Sequence, residues 1–401
     1  MKCKIRILFL LIVFLSFKGI IYPQTNNTKY RIIKHFVAYE EKGMYCAWPN
    51  IIQANNGDIL VVFCRAEEHH TPTGEILLIK STDKGKTWSK PEIIFNTPLD
   101  DRHPSIMKLL DGRIVGFFGS SFHPTKLFEE DFVKIKAYTN EQLIKWAEYT
   151  KSEEYQKAKE LAGSHLKIST DNGKSWSDSI RSPETFRAGF ELEDGTIIIA
   201  GYSKNNIITI HKTNGKNKIW NWETDSIQFP NFKNLAFSEP TICKLSNGRI
   251  IMIVRTTAIN PYNNQDHKNL LWETYSDDNG KTWVEPYPIP IWGFPAHILQ
   301  LKDGRVLISY GYRRKPFGQR ACISDDGITW KHENEIIIRD DGPNGDLGYP
   351  VSIEIEPNKI LTVYYQPNVP RGTFQKMDPP NPNRKKPGIL GTIWLINKQN
   401  K

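Results

Sequence analysis

A strand, a tight turn and a second strand recur six times along this chain of 401 residues. In most copies the turn is Asn-Gly or Asp-Gly between two apolar runs. Such turns need a positive φ angle, which Gly and Asn tolerate, so the pattern is a strong signal for a β-hairpin. Successive turn residues are 55, 83, 53, 56 and 54 positions apart, and they are Gly57, Gly112, Gly195, Gly248, Gly304 and Asn358. A repeat of this period determines the architecture.

A polar turn follows the hairpin in four of the six units. It reads STDKGKTW from Ser81, STDNGKSW from Ser169, SDDNGKTW from Ser276 and, one residue shorter, SDDGITW from Ser324. Its Ser and Asp side chains can hydrogen-bond the backbone of their own turn, its Gly supplies the positive φ, and its Trp can pack between sheets. We interpret the motif as a structural turn, and we place none of its aspartates in an active site: Asp83, Asp171, Asp278 and Asp326.

Each unit therefore supplies four strands, which predicts an all-β fold, a six-bladed β-propeller with four-stranded blades. The last unit ends after GTIWLINK, so we expect the strand-like segment near residues 28–40 to join it and close the ring. The long interval in unit two indicates a helical insertion in blade two, at about residues 127–161. There Thr139 and Gln142 form a capping box. The insertion is either a solvated decoration or a lid over the centre.

The N-terminus carries Lys2, Lys4 and Arg6 before an apolar run at 7–17 that is too short to span a bilayer. We therefore expect a signal peptide at 1–24, a propeller domain at 25–401 and a secreted or periplasmic protein without stable membrane insertion. Its net charge of +9 favours acidic partners such as an acidic glycan. The basic residues are scattered rather than clustered, which argues against nucleic acid. We expect a monomer.

The cysteines that follow the predicted signal peptide form no CxxC pair and no Cys/His cluster with zinc spacing, so neither a metal nor a cofactor is predicted. Cys46 and Cys64 flank one hairpin at similar distances from its turn, which suggests that they are cross-strand neighbours. An exported chain could oxidise this pair to a disulfide. Adjacent antiparallel strands rarely offer good disulfide geometry, however, so the pairing stays a hypothesis.

Candidate functional residues lie on one rim of the predicted fold. Strand one of each unit leads away from this rim and strand two returns to it, so residues before strand one and after strand two share a face. A ring of strand starts around a shallow funnel is a natural ligand site. The candidates before strand one are Trp48, Asp101, Arg102, His103, Glu239, the pair Pro295 and His297, and Tyr349, and those after strand two include Arg65, Arg255 and Arg313.

These repeats resemble the bacterial neuraminidase repeats, or Asp boxes, of the sialidase superfamily, and the likeness covers nearly the whole mature chain. The resemblance implies a six-bladed propeller in which three arginines hold the substrate carboxylate. It also implies a tyrosine nucleophile assisted by a glutamate, and an aspartate as acid/base. On this resemblance, SEPTICKLSNGRIIMIVR supplies Glu239 and Arg255, YGYRRKPFGQR supplies Arg313, and DLGYP supplies the nucleophile Tyr349.

The first half of the chain departs from the family pattern. Ala47-Trp48-Pro49 stands where the first arginine is expected, and CRAEEHHTPTGE stands where the acid/base aspartate is expected. The acid could be a histidine or glutamate of that segment, namely Glu67, Glu68, His69 or His70, or it could come from Asp101 or His103. Arg65 or Arg102 could replace the missing arginine.

The residue types support the same chemistry independently of the family resemblance. A phenol with a pKa near 10 is a weak nucleophile unless a carboxylate such as Glu239 takes its proton. Arginines give a carboxylate bidentate, permanently charged contacts. The leading hypothesis is therefore a secreted exo-glycosidase of the sialidase type that cleaves terminal acidic sugars by a retaining route through Tyr349.

Two other classes of function stay open. One is a polysaccharide lyase acting on a uronate-containing glycan, which would use His69, His70 or His103 together with a tyrosine. The other is a non-catalytic glycan-binding propeller, which would be favoured if the side chains of Glu239 and Tyr349 pointed away from each other.

Overall fold

The computed structural model describes residues 29–136, 138–217, 219–232, 235–258, 270–376 and 384–397. Residues 1–24, for which we predict a signal peptide, lie outside this part. None of the helices in the described ranges is both long enough and apolar enough to span a membrane.

The described residues form an all-β fold whose 24 strands follow one another in groups of four. The first group is β2 (Tyr45–Gln53), β3 (Ile59–Ala66), β4 (Gly74–Ser81) and β5 (Glu92–Asn96). The second is β6 (Asp100–Lys108), β7 (Ile114–Ser121), β8 (Gly163–Ser169) and β9 (Ile180–Arg181). The third is β10 (Arg187–Glu191), β11 (Thr196–Ser203), β12 (Ile207–Asn214) and β13 (Glu223–Gln228).

The remaining groups repeat this arrangement. The fourth is β14 (Leu235–Lys244), β15 (Ile250–Ala258), β16 (Leu270–Ser276) and β17 (Tyr287–Trp292). The fifth is β18 (Ala296–Gln300), β19 (Val306–Tyr312), β20 (Gly318–Ser324) and β21 (Ile336–Arg339). The last is β22 (Gly348–Glu356), β23 (Lys359–Pro367), β24 (Pro387–Ile396) and the N-terminal β1 (Tyr30–Tyr39). The prediction that the N-terminal strand joins the last unit is confirmed, because β1 pairs with β24.

The first strands of the six groups contact one another in an unbroken cycle. β2 contacts β6, β6 contacts β10, β10 contacts β14, β14 contacts β18, β18 contacts β22, and β22 contacts β2. Within every group the neighbouring strands are antiparallel, and a single parallel pair, Gly74 with Asp100, joins the first two groups into one sheet. The buried apolar clusters lie between successive groups, so the core is distributed around this cycle.

The predicted hairpin turns are present. All five turn glycines have φ between 89° and 93°, and Asn358 has φ of 60°. An L side chain other than Asn or Asp rarely adopts this conformation, which explains the choice of residues.

The polar turns are structural, as predicted. In the first of them the Oγ atom of Ser81 accepts the N–H of Gly85 at 2.8 Å, and Asp83 accepts the N–H groups of Lys86 and Thr87, both at 2.9 Å. The turn follows β4 at the end where Ser81 pairs with Ile59, next to the hairpin turn. The rim residues stand at the other end of the same strands, so these aspartates lie on the face opposite the rim.

The fourth polar turn provides a matched test of this role. Asp326 accepts the N–H groups of Ile328 at 2.9 Å and Thr329 at 2.7 Å, whereas its neighbour Asp325 has no partner among the described residues. We expect Asp326→Ala to lower the free energy of unfolding by about 1–3 kcal/mol, because two backbone donors lose a charged acceptor. Asp325→Ala serves as the control and should leave the urea midpoint unchanged. Equal midpoints for the two variants would contradict the structural role.

The insertion after β7 is helical and lies beside the rim. Its helices are Leu127–Asp131, Phe132–Lys134, Asn140–Lys151, Glu153–Lys157 and Ala158–Leu161. The predicted capping box between Thr139 and Gln142 is present. Trp146 donates to Glu67 of the loop after β3 at 2.8 Å, and Tyr138 accepts the N–H of His70 in the same loop at 3.1 Å. A further short helix, His332–Asn334, precedes β21.

The hypothesis of a disulfide between Cys46 and Cys64 is wrong. The four cysteines within the described residues are all free. In the register of β2 and β3, Cys64 faces Ala47, while Cys46 faces Arg65. Because successive side chains of a strand point to opposite faces, Cys46 and Cys64 lie on different sides of the sheet.

Candidate functional site

Four bulky residues at the starts of first strands have a left-handed backbone. The φ angle is 54° at Trp48 and 50° at His103, Glu239 and Tyr349, and each of these residues immediately precedes a proline. At each one the pairing of the first strand with the second shifts register, as in a β-bulge. Such a conformation is costly for a bulky side chain, and strain of this kind concentrates at functional sites. These bulges bring residues from four different groups of strands together.

Tyr349 and Glu239 form the centre of the site. The Tyr349 hydroxyl donates a hydrogen bond of 2.6 Å to Oε1 of Glu239, and Arg255 donates to the same oxygen at 2.7 Å. The two side chains are buried, and Glu239 Oε2 has no hydrogen-bond partner among the described residues. A tyrosine, a carboxylate and a guanidinium that are distant in sequence thus share one buried contact.

The electrostatics of this contact fix its protonation state. Burial, and next the charge of Glu239, raise the pKa of Tyr349 well above 10. Burial would also raise the pKa of Glu239, but the charge of Arg255 and the hydrogen bond from Tyr349 outweigh it and leave that pKa below its usual value. At neutral pH the pair is therefore a neutral phenol and a carboxylate that is placed to accept its proton.

The guanidinium groups of Arg255 and Arg313 both pack against the aromatic ring of Phe294. Their guanidinium carbons lie 4.6 Å and 5.2 Å from the ring centroid. Arg313 donates to the Leu347 carbonyl at 2.9 Å and to the Tyr365 hydroxyl at 3.1 Å, so neither of these partners neutralises its charge. Arg255 is paired with Glu239, whereas Arg313 forms no ion pair among the described residues, so the two guanidiniums are suited to bind an anionic group such as a second carboxylate.

Arg187, the first residue of β10, belongs to the site although the sequence did not indicate it. Its guanidinium carbon lies 5.2 Å from the centroid of the Tyr349 ring, and only 3% of the residue is exposed. Burial lowers the pKa of Arg187 to about 10, against the opposing effects of Tyr349 and Glu239. In the other units the candidates stand at the start of strand one, and Arg187 occupies the same place in unit three. Unit three has no proline after this position, however, so the sequence signal that marks the other four positions is missing.

A second chain of polar groups begins at His69. The Tyr45 hydroxyl donates to Asp346 at 2.6 Å and lies 2.7 Å from Nδ1 of His69. Burial, then the nearby charges of His70 and Arg102, hold the pKa of His69 well below 6.5, so the ring is neutral. With the Tyr45 proton directed to Asp346, the Nδ1–H of His69 donates to Tyr45, and Nε2 is left as an acceptor. Neither Tyr45 nor Asp346 was predicted.

Trp48 connects the two halves of the site. Its ring centroid lies 5.3 Å from that of His69 and 4.8 Å from that of His103. The guanidinium of Arg102 stacks over the same ring at 5.2 Å, donates to the His69 carbonyl at 3.1 Å and forms an ion pair with Asp100. The predicted residues His69, His103 and Arg102 therefore belong to one cluster with Tyr349, whose ring lies 6.5 Å from that of His103.

The structure does not bring Arg65 into this cluster. The Arg65 side chain pairs with Glu75 of the adjacent strand and, at 2.7 Å, with Glu41. Both acceptors lie in the outer part of the sheets, so the guanidinium is directed away from Tyr349. The assignment of Arg65 to substrate binding is corrected accordingly.

Asp101 is also outside the cluster. Its carboxylate is 0% exposed and accepts hydrogen bonds from Ser120 and from the backbone and side chain of Thr97, the last at 2.9 Å. Burial raises the pKa of Asp101 to about 7, although these hydrogen bonds oppose the shift. Asp101 and Arg102 are neighbours in β6, where successive side chains alternate between faces, so only Arg102 reaches the centre. The assignment of Asp101 as a catalytic residue is corrected.

Comparison with known proteins identifies the family. The BNR repeat-like domain family matches residues 140–360, which is more than half of the chain. The chain belongs to the BNR-repeat proteins of the sialidase superfamily. No curated protein sequence gives a significant match.

Solved structures show the same fold. A Dyadobacter fermentans protein of unknown function is 26% identical, with a TM-score of 0.67 over 92% of this chain and 99% of that one. The NanB sialidase of Streptococcus pneumoniae is 14% identical, with a TM-score of 0.59 over 88% of this chain and 68% of that one. An intramolecular trans-sialidase of Ruminococcus gnavus is 13% identical, with a TM-score of 0.55 over 88% of this chain and 94% of that one.

This BNR-repeat protein carries an aromatic residue where the sialidase resemblance implies its first arginine. Trp48 stands at that position, and the guanidinium stacked on it, that of Arg102, is already paired with Asp100. By contrast, Arg313 forms no ion pair among the described residues, and Arg255 shares Glu239 with Tyr349.

Proposed function

We propose that this protein is an exported exo-glycosidase of the sialidase type, which removes a terminal carboxylated sugar from a glycan by a retaining route. We further propose that the six groups of strands are the blades of a six-bladed β-propeller around one central channel. The unbroken cycle of contacts between first strands and the similarity to sialidase structures support this architecture. The signal-like N-terminus supports export to the periplasm or the medium.

One observation carries the activity, the hydrogen bond of 2.6 Å between Tyr349 and Glu239. A purely glycan-binding protein has no need of a buried phenol held against a carboxylate by two strained bulges. A nucleophilic tyrosine does need this arrangement, because Glu239 takes its proton as the oxygen attacks. Sialidases are glycosidases that use a tyrosine in this role.

The proposed reaction has two steps. Arg255 and Arg313 bind the sugar carboxylate and place the anomeric carbon against Tyr349. The Tyr349 oxygen then bonds to that carbon, its proton passes to Glu239, and the glycosidic bond breaks as the leaving oxygen takes up a proton. In the second step water attacks the same carbon and loses one proton, which replaces the proton taken up by the leaving oxygen, and Glu239 returns its proton to the departing Tyr349 oxygen. The Arg187 charge beneath the ring favours the negative charge that develops on Tyr349 in both steps.

A polysaccharide lyase is the second candidate, and the chain from His69 through Tyr45 to Asp346 favours it. A neutral histidine with a free Nε2 can take a proton from carbon beside a uronate carboxylate, and Tyr45 with Asp346 would orient it. The glycosidase reaction would take place at Tyr349 and the lyase reaction at His69, and Trp48 lies between these two residues.

Product analysis distinguishes these functions. The purified protein is incubated separately with sialyllactose and with a uronate polysaccharide, and the products are identified by mass spectrometry and ultraviolet absorbance. We expect free sialic acid from sialyllactose. An unsaturated uronate product would instead establish the lyase, and binding without any product would leave only a glycan-binding protein.

A further inference from the structure

A cavity lies beside the Tyr349 site and takes no part in the attack of Tyr349 on the sugar. It has a volume of about 230 Å³, and it lies between the rim ends of β7 and β8 and the loop that enters β10. Ser120, Ser121, Ser164 and Thr185 supply polar wall atoms, and Phe186 supplies an apolar one. A pocket with both kinds of surface is typical of a site for a sugar.

Glu184 supplies an acidic side chain to the wall of this cavity. Among the lining residues, all of them in the described ranges, it carries the only carboxylate. Glu184 has no hydrogen-bonding or ionic partner among the described residues, and it stays accessible to solvent on the cavity wall. The cation in the same lining, Arg102, is already neutralised by Asp100. The cavity therefore offers one unpaired acid to a bound group, and partial burial raises the pKa of that acid.

The cavity adjoins the reaction centre. Arg102 and His103 line it, and the His103 ring lies 4.7 Å from Phe186 on one side and 6.5 Å from Tyr349 on the other. Tyr202, whose ring lies 5.0 Å from that of Phe186, lies near both sites. After burial, the charges of Glu239 and Glu184 both raise the pKa of Tyr202. A ligand in this cavity would thus lie next to a sugar held at Tyr349.

We propose that the cavity binds the leaving group of the glycosidase reaction and that Glu184 is the proton donor to the glycosidic oxygen. This inference rests on the proposed function. As the bond from Tyr349 to the anomeric carbon forms, the glycosidic bond breaks and the Glu184 proton moves to the departing oxygen. The Glu184 carboxylate then takes a proton from the attacking water and is restored.

Two of the other candidates for this role, His69 and Asp101, are less suitable. A donor must be protonated at the working pH, and His69 is neutral because its pKa lies well below 6.5. Asp101 is fully enclosed and its oxygens are occupied by Thr97 and Ser120. Glu184 is open to the cavity, and its shifted pKa extends the protonated form to higher pH.

Two substrates with different leaving groups test the proposal. Sialyllactose needs a proton on its leaving oxygen, whereas nitrophenolate leaves from a nitrophenyl sialoside without one. We expect Glu184→Gln to lower kcat/KM on sialyllactose by about 100-fold or more and to change it on the nitrophenyl sialoside by only a few-fold. In the parent, activity on sialyllactose should fall as the pH rises through the pKa of Glu184, and the variant should lack this decline. Glu193→Gln, at the hairpin on the opposite face, is the matched control.

The kinetics of Glu184→Gln on the two substrates can contradict the assignment of Glu184 as the proton donor. Equal losses on the two substrates would show a structural effect and overturn the proposal, and unchanged kinetics on both would overturn it as well. In either case turnover by the parent leaves the proposed function standing. If the parent turns over neither substrate, the proposed function fails and this inference fails with it.

Discussion

Tyr349→Phe will abolish the release of sialic acid from sialyllactose and leave the binding of free sialic acid nearly unchanged. The substitution removes one oxygen, which is the proposed nucleophile, while Arg255 and Arg313 keep their positions on Phe294. Loss of a nucleophile removes an interaction made only along the reaction path, so kcat should fall by at least about a thousandfold. Kinetics by product detection and binding by calorimetry measure the two effects separately.

Tyr275→Phe is the matched control for this variant. Tyr275 lies in β16 and packs under Arg249 at the opposite end of the sheets, far from the rim. This variant should retain the parent activity. If Tyr349→Phe retained turnover while His69→Ala lost it, the chemistry would lie on the other side of Trp48 and the lyase would be supported.

The strand order was predictable because its signals are local. A hairpin turn is encoded by two or three residues that must adopt positive φ, and the chain repeats that signal at a nearly constant interval. The polar turns are equally local, since each Asp bonds to N–H groups a few residues further on. The helical insertion was found because it interrupts the interval and carries its own capping box.

The site was predictable only where it repeats. Glu239 and Tyr349 occupy the same bulge position in different units, each before a proline, so finding one position indicated the other. Arg187 occupies the corresponding place in a unit without the proline, and it was overlooked. Tyr45 and Asp346 are 301 residues apart and bond only because β2 packs beside β22. No short sequence pattern carries that information.

Alternation along the strand explains why Asp101 was misplaced. Asp101 is adjacent to Arg102, which does reach the centre, but a shift of one residue moves a side chain to the other face. Arg65 instead is held by the carboxylates of Glu41 and Glu75. The bulges before Pro49 and Pro104 make the shift harder to count, because they break the regular alternation of the first strand. Their side-chain directions became evident only from the pairing of β6 with β7 and of β3 with β4.

Arg255→Met will lower kcat/KM by about 100-fold or more and move the acidic limb of the pH profile to higher pH. Truncating one partner of a buried, hydrogen-bonded charge pair costs about 2–5 kcal/mol, and here it also removes a guanidinium proposed to bind substrate. The sign of the pH shift follows from Glu239, which acts as base only when ionised. Arg255 lowers the pKa of Glu239, so its loss raises that pKa, and the base becomes protonated at a higher pH than in the parent.

Arg255→Lys separates charge from geometry in the same experiment. A lysine at this position retains a positive charge near Glu239 but cannot form a bidentate contact with a sugar carboxylate, so KM should rise while the acidic limb stays closer to that of the parent. Arg249→Met is the control, because Arg249 pairs with Asp277 at the far end of the sheets. The pH dependence of kcat/KM for all four proteins measures both effects. An Arg255→Met profile with the acidic limb of the parent would mean that Glu239 is not the base.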